Sequence, residues 1–250
     1  MTDTELWGAA RMWLWLVLTA TTIALPALFR GFLRRDTGLQ YERNFWVQRA
    51  PQFAIALNLF GLSASFEAIE LFLGTGEPAF GKVFFQAWAP YLPALSLALV
   101  VPAGIAGTIA WCGVVLSAFG LVFLVGGWYS LGTAFSPDAE LLREHVLQQG
   151  GMFRYVMHPV YAGIIHFLLG SAVVGLSPLC GAFTVGVVAP LLLQRAKHEE
   201  ALLTERFGVA YGEFARQCCW RRFVPTFVPF GISGRSPTGR CSGRSLCSRR

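Results

Sequence analysis

The sequence predicts an all-α protein: a polytopic membrane helical bundle of about five transmembrane helices with a cytoplasmic C-terminal region. Three observations predict it. Of 250 residues, 54% are hydrophobic and only 14% are charged, well below the roughly 25% of soluble domains. Several apolar runs reach the ~20 residues that a helix needs to cross a bilayer. The arginines gather in a few stretches between those runs, as in cytoplasmic loops, so the net charge of +6 reads as topology and no nucleic-acid partner is expected.

Taken in order, the first apolar run is Gly8 to Phe29, rich in Trp and Leu, with Pro26 placed to kink its end. Asp3 and Glu5 precede it in place of a basic n-region, so no cleavable signal is expected. The stretch Arg30 to Arg49 carries Arg30, Arg34, Arg35, Arg43 and Arg49 and reads as cytoplasmic. A second span, Ala50 to Leu73, contains Glu67 and Glu70. Carboxylates inside a span are functional candidates by default; a place at the far interface or against another helix is the plainer reading. Residues 83–104 are apolar but broken by Pro90, Pro93 and Pro102. A clear span follows at 105–128, then a hydrophilic connection, 129–157, whose Ser136-Pro137-Asp138 is a helix-start signal for the segment to Gln149.

Two shorter spans, 159–176 and 178–194, meet at the turn Ser177-Pro178. Arg195 to Phe207 is an amphipathic helix stopped by Gly208, and Val209 to Cys218 is a second short one. Arg221-Arg222 reads as an interface anchor, and 231–250, made of Gly, Ser, Arg and Cys with little apolar mass, as a disordered basic tail. The organisation is therefore N-terminal membrane helices over 1–128, a region 129–230 containing the helical hairpin 159–194, and the tail 231–250.

Parity sets the topology. The arginine-rich stretches before residue 50 and after 194 both belong in the cytoplasm, and four clear spans lie between them. That gives five spans in all, with 83–104 as a re-entrant or surface segment and the connection 129–157 on the same side as Arg195 to Glu200.

Six cysteines, at 112, 180, 218, 219, 241 and 247, form no CxxC pair and have no histidine at zinc spacing. Reduced thiols and no metal are expected.

Within that frame the stretch Gly151-Met-Phe-Arg-Tyr-Val-Met-His-Pro-Val-Tyr-Ala-Gly163 stands at the junction of a polar loop and an apolar run. His158, before a proline, ends the loop, Pro159 opens the helix, and Tyr161 shares the helix mouth with His158. Arg195, His198, Glu199 and Glu200 form a second polar cluster, which a there-and-back hairpin returns beside the first. Each member has a plainer reading. Arg195 and Glu199 are spaced as a helix-surface pair, His158 as a cap, His198 as part of a solvated face, and His166, seven residues into a span, as a helix–helix contact.

The pattern resembles the isoprenylcysteine carboxyl methyltransferase family. Gly151 to Gly163 is similar to that family's Gly-x-Tyr-x-Tyr-x-Arg-His-Pro-x-Tyr-x-Gly motif. Leu131-Gly132-x-x-Phe135-Ser136 and His145-x-Leu147 also resemble it, as do Arg195-x-x-x-Glu199-Glu200-x-Leu202, Phe207-Gly208-x-x-Tyr211 and Arg222-Phe-Val-Pro225. The likeness covers about Leu131 to Pro225. It implies a multi-pass membrane methyltransferase of the bacterial inner membrane or endoplasmic reticulum. The site would face the cytoplasm, use S-adenosylmethionine and take a lipid-like or prenylated substrate from the bilayer. Carried over by position, Gly151, His158, Pro159, Tyr161 and Gly163 would line the cofactor pocket with Glu199; Arg195 and Glu200 would hold the acceptor group or the methionine moiety; Tyr211 would close the site. The chain departs from the pattern where Met157 replaces the arginine before His-Pro, with Arg154 one turn away as a substitute, and where Phe214 replaces a second tyrosine.

Methyl transfer from a sulfonium to a carboxylate needs no general base; it needs positioning and a dry pocket in which opposite charges neutralise. An amine or small-thiol acceptor, such as a phospholipid amine, would use His158 or His198 as base. Two other readings remain: a NADPH-dependent sterol-reductase-like enzyme, whose His-Pro-Asn-Tyr-Gly-Glu element is not matched here because Val160 and Ala162-Gly163-Ile164 lack the Asn and the acid, and a channel or transporter using Glu67 and Glu70.

Overall fold

The computed structural model describes residues 40–41, 44–73, 97, 101–131, 140–141 and 147–218. The expected run 8–29, most of the arginine-rich stretch, most of 83–104, Arg221-Arg222 and the tail lie outside the described residues, as do the side chains of Glu67 and Glu70.

The described elements are a helical turn α1 (Phe45–Gln48) and the helices α2 (Ala50–Leu73), α3 (Ala103–Leu131), α4 (Pro159–Val174), α5 (Pro178–Phe183), α6 (Ala189–Phe207) and α7 (Val209–Gln217). A 3₁₀ turn covers Gly151–Arg154 and a π turn, Thr184–Val188, joins α5 to α6 without a break. Two two-residue strands, β1 (Gln40–Tyr41) and β2 (Glu140–Leu141), pair antiparallel. The four spans expected after the first loop are thus four helices. The helix expected from Ser136 to Gln149 is not found at its described residues: Glu140–Leu141 is extended against Gln40–Tyr41 and 147–149 are irregular, while Ser136-Pro137-Asp138 lies outside the described residues. That pairing brings the connection before α1 and the connection after α3 to one end of the bundle.

Gly104–Leu131 and Pro178–Phe207 are long and apolar enough to cross a membrane, and Ala50–Leu62 and Pro159–Val174 are shorter apolar helices. The exposed side of α3 supports a lipid surrounding: Ile105, Val115, Phe119, Val122 and Val125 point outward. A water-facing helix would place polar residues there.

The stripe of α3 against α4 is built of glycine. Gly113, Gly120 and Gly127 recur every seven residues; the first two meet Gly170 and Gly163 of α4, also seven apart, and Gly127 meets Val160 and Pro159. A Cβ on Gly120 would stand 2.8 Å from the Gly163 carbonyl oxygen, and one on Gly113 would stand 2.6 Å from Val174 N. The backbones are therefore in direct contact, the arrangement small residues allow where dispersion between helices replaces the hydrophobic effect. The heptad spacing keeps that seam on one stripe.

α4 ends at Gly175 and Leu176, whose φ of 46° turns the chain, and Ser177 then caps α5. Pro190, which carries no N–H for the carbonyl four residues back, permits the π turn beside it. The amphipathic segment 195–207, expected as a separate helix, is instead the end of α6. Gly208, at φ 51°, stops it. α7 then folds back, and its Cys218 Sγ lies 3.7 Å from the Phe153 carbonyl of the 3₁₀ turn.

Candidate functional site

Two helix ends build the site. Pro159 fixes the first turn of α4, so His158 sits just outside it as the N-cap residue. The His158 side chain makes no capping hydrogen bond; it turns toward α6. Tyr161, three residues on, lies beneath it, the two rings stacked with centroids 5.5 Å apart and planes 10° from parallel.

α6 supplies the charges. Arg195 and Glu199, one turn apart, pair at 3.2 Å from Nε to Oε1. The same Oε1 accepts a hydrogen bond from the Tyr161 hydroxyl. His158 Nε2 donates to Glu200 Oε1 at 3.2 Å, and Nδ1 lies 3.7 Å from Glu199 Oε2. The imidazole thus spans the two adjacent carboxylates, while the Arg195 guanidinium lies 5.8 Å from the Tyr161 ring centroid. Arg195 is 4% exposed and His158 8%. A buried guanidinium is tolerated only when paired and hydrogen-bonded, and here Glu199 supplies that pairing. The two patches expected to converge do so: His158 and Tyr161 on one side, Arg195, Glu199 and Glu200 on the other.

Other candidate residues lie elsewhere. Gly163 packs on α3, where a Cβ would stand 2.5 Å from Leu124 N, and Pro159 is buried against Gly127 of the same helix. Gly151 has φ 59° and no room for a Cβ against Ser130, whose Oγ accepts from Met152 N at 3.1 Å. These three shape the backbone that carries His158 and do not reach the ionic cluster with side chains. Arg154 is exposed at the end of the 3₁₀ turn and pairs with neither Glu199 nor Glu200. His166 donates from Nδ1 to the Ala162 carbonyl at 2.7 Å and meets Phe119 edge-on. His198 is half-buried on α6.

Tyr211 joins a second, apolar cluster. It is buried with Met157 and Phe214, flanked by Leu147, Phe153, Leu203 and Phe207. Leu203 and Phe207 continue α6 from Glu199 and Glu200, so apolar and ionic patches are contiguous. The two departures from the family pattern, Met157 and Phe214, therefore fall in one cluster although 57 positions apart. Ser130 and Leu203 are the contributors that the sequence reading did not single out. Among the described residues no group of three or more His, Cys, Asp or Glu is placed to hold a metal ion.

Comparison with known proteins gives a consistent result. Residues 112–205 match the model of the isoprenylcysteine carboxyl methyltransferase (ICMT) family. The Mus musculus protein-S-isoprenylcysteine O-methyltransferase is 28% identical over 124 residues, 46% of this chain and 42% of that protein. The Arabidopsis thaliana protein-S-isoprenylcysteine O-methyltransferase B is 28% identical over 124 residues, 60% of its length. The Schizosaccharomyces pombe protein-S-isoprenylcysteine O-methyltransferase is 32% identical over 92 residues, 34% of its length. The chain thus spans about half the length of the curated relatives it matches. The family match begins in α3 and ends in α6, so it contains His158, Tyr161, Arg195, Glu199 and Glu200 while Tyr211 and Phe214 lie beyond it. Over that stretch, from the glycine seam through the ionic cluster, the chain is similar to the isoprenylcysteine carboxyl methyltransferase family.

Proposed function

We propose that this protein is a multi-pass membrane methyltransferase. It would move the methyl group of S-adenosylmethionine to a lipophilic acceptor entering from the bilayer, an isoprenylcysteine-type carboxylate. Its five spans would leave the α4–α6 site facing the cytoplasm. The observation that carries this reading is the shared carboxylate of Glu199, gripped by Tyr161 and Arg195 beside the His158–Glu200 pair.

The donor set fits the cofactor. S-adenosylmethionine brings an ammonium, a sulfonium and a carboxylate, a net charge of about +1 at neutral pH, its amino and carboxyl groups titrating as those of amino acids do. Glu199, Glu200 and Arg195 offer two negative charges and one positive, a net of −1 with His158 neutral. Glu199 and Glu200 would take the ammonium and Arg195 the carboxylate. When bound, the cofactor supplies an electrophilic methyl on positive sulfur; the residues hold it in line with the acceptor and keep water away. An ionised carboxylate acceptor has no proton to lose, so positioning supplies most of the acceleration. The apolar cluster around Met157 would cover the site from the α7 side.

The test is binding in detergent, with radiolabelled S-adenosylmethionine against NADPH. We expect saturable binding of the first alone, lost in the pair Glu199→Ala/His158→Ala. No binding, or binding indifferent to that pair, rejects the reading. Mass spectrometry of lipid products after incubation with labelled donor then identifies the acceptor.

A further inference from the structure

We propose that Asn58 of α2 is a positioning residue for the α4–α6 site, acting through the π turn. Asn58 is 2% exposed. Its Nδ2 donates both to the Cys180 carbonyl, at 3.1 Å, and to Thr184 Oγ1, at 2.9 Å. Thr184, fully buried, donates in turn to the same carbonyl at 2.8 Å. Asn58 Oδ1 is buried and has no hydrogen-bond partner among the described residues. An amide that leaves one end unmatched in an apolar interior is retained for what its other end fixes, because unmatched burial is unfavourable. What Nδ2 fixes is the first residue of the π turn and the carbonyl four residues before it.

The π turn decides which way α6 faces. Cys180, Thr184, Val188, Leu192 and Ala196 are all buried, at intervals of four. In a regular α-helix each such step drifts by about 40°, so this stripe would wind well out of the bundle by Ala196. A π turn accommodates one surplus residue, which resets the phase by about 100°. The reset keeps Arg195 and Glu199 facing Tyr161. Asn58 holds the reset in place from α2, and Ser65, whose Oγ is 3.1 Å from Ser177 Oγ, ties α2 to the start of α5 one level away. Gly186 within the turn is exposed, with nothing within 4 Å of a Cβ position, so packing on that side does not enforce the turn.

The functional consequence rests on the donor-binding reading above; the geometric one does not. The experiment compares Asn58→Leu, the double variant Asn58→Leu/Thr184→Val, and the unaltered full chain in detergent. Removing both polar partners leaves little unmatched, so the double variant should melt close to the unaltered protein. Its affinity for S-adenosylmethionine should nevertheless fall at least about tenfold. The phase itself is read by placing cysteines at Tyr161 and Glu199 and measuring short-arm bismaleimide cross-linking, with linked peptides identified by mass spectrometry. We expect cross-linking in the Asn58 background and its loss in both Asn58→Leu backgrounds. If the double variant is stable, cross-links as before and binds donor as before, the proposal fails. If the unaltered chain binds no donor while cross-linking still depends on Asn58, the functional reading fails and the positioning role stands.

Discussion

Helix α4 makes two contacts of opposite kinds. Toward α3 it offers Gly163 and Gly170, and backbone lies on backbone along an apolar seam. Toward α6 it offers His158 and Tyr161, and the contact is a set of charged hydrogen bonds. The first contact has no tolerance for added volume; the second depends on charge and direction. The difference teaches a division of labour: the seam holds α4 still, so that two side chains at its mouth meet two carboxylates on another helix at fixed distances. The contrast can be broken from either side.

The largest effect is expected at the seam. Gly163→Leu would drive a side chain into Leu124 N and the Gly120 carbonyl. Overpacking costs about 1–3 kcal/mol, and here the obstacle is backbone, which places the change at the upper end. Thermal unfolding in detergent should shift strongly downward, with donor binding lost in parallel. Unchanged unfolding would mean that α3 and α4 are not in backbone contact.

Glu199→Gln should separate binding from folding. The amide oxygen still accepts from Tyr161 and Arg195 while the charge is gone. Hydrogen bonds to charged groups contribute about 1.5–3 kcal/mol, so donor affinity should fall roughly 10- to 100-fold, while the melting temperature, with buried Arg195 still hydrogen-bonded but without its counter-charge, falls less than in Gly163→Leu. A fall in melting temperature as large as that of Gly163→Leu would show that the ionic contact is structural, like the seam.

What the sequence made legible follows the same division. Helices long enough to span, the proline that opens α4, the glycine that ends α6 and the convergence of His158 with Glu199 and Glu200 all follow from local signals: hydropathy, capping residues, charge and chain parity. The π turn fell inside what reads as an ordinary span, 178–194, and its partner Asn58 lies 126 positions from Thr184 and has no local signal. Gly163 belonged to a motif, which suggested a pocket role, whereas its match with Gly120 makes it a packing residue. Arg154 lies in the 3₁₀ turn and is exposed, a place that its spacing from His158 does not give, because spacing carries phase only within a helix. The Met157–Phe214 contact joins two elements through tertiary packing alone.

A smaller effect is expected at the cover over the ionic contact. Gly208 has φ 51°, which a residue with a side chain adopts at a cost of about 1 kcal/mol or more. Gly208→Ala should loosen the docking of Tyr211 and Phe214 on Met157, seen as faster amide exchange across Val209–Gln217. Donor affinity should fall by no more than about tenfold, because the ionic partners on α4 and α6 stay in place. Loss of binding as complete as in Glu199→Ala/His158→Ala would move Tyr211 from the cover into the donor site.

The smallest effect is expected at His166, which stands between the two contacts of α4 and belongs to neither chemistry. Its Nδ1 is bound to the Ala162 carbonyl of its own helix at 2.7 Å, and its ring meets Phe119 of α3 edge-on at 5.2 Å. The hydrogen bond closes within one turn, so it leads no proton toward His158, and the ring contact is one an aromatic hydrocarbon makes equally well. His166→Phe retains the ring and removes both nitrogens. We expect donor affinity and turnover to stay within about twofold and stability within about 0.5 kcal/mol, the range of substitutions that break no special feature. A proton carrier would behave differently: turnover would collapse while binding and melting were unchanged, and His166 would then join the site that the helix geometry separates it from.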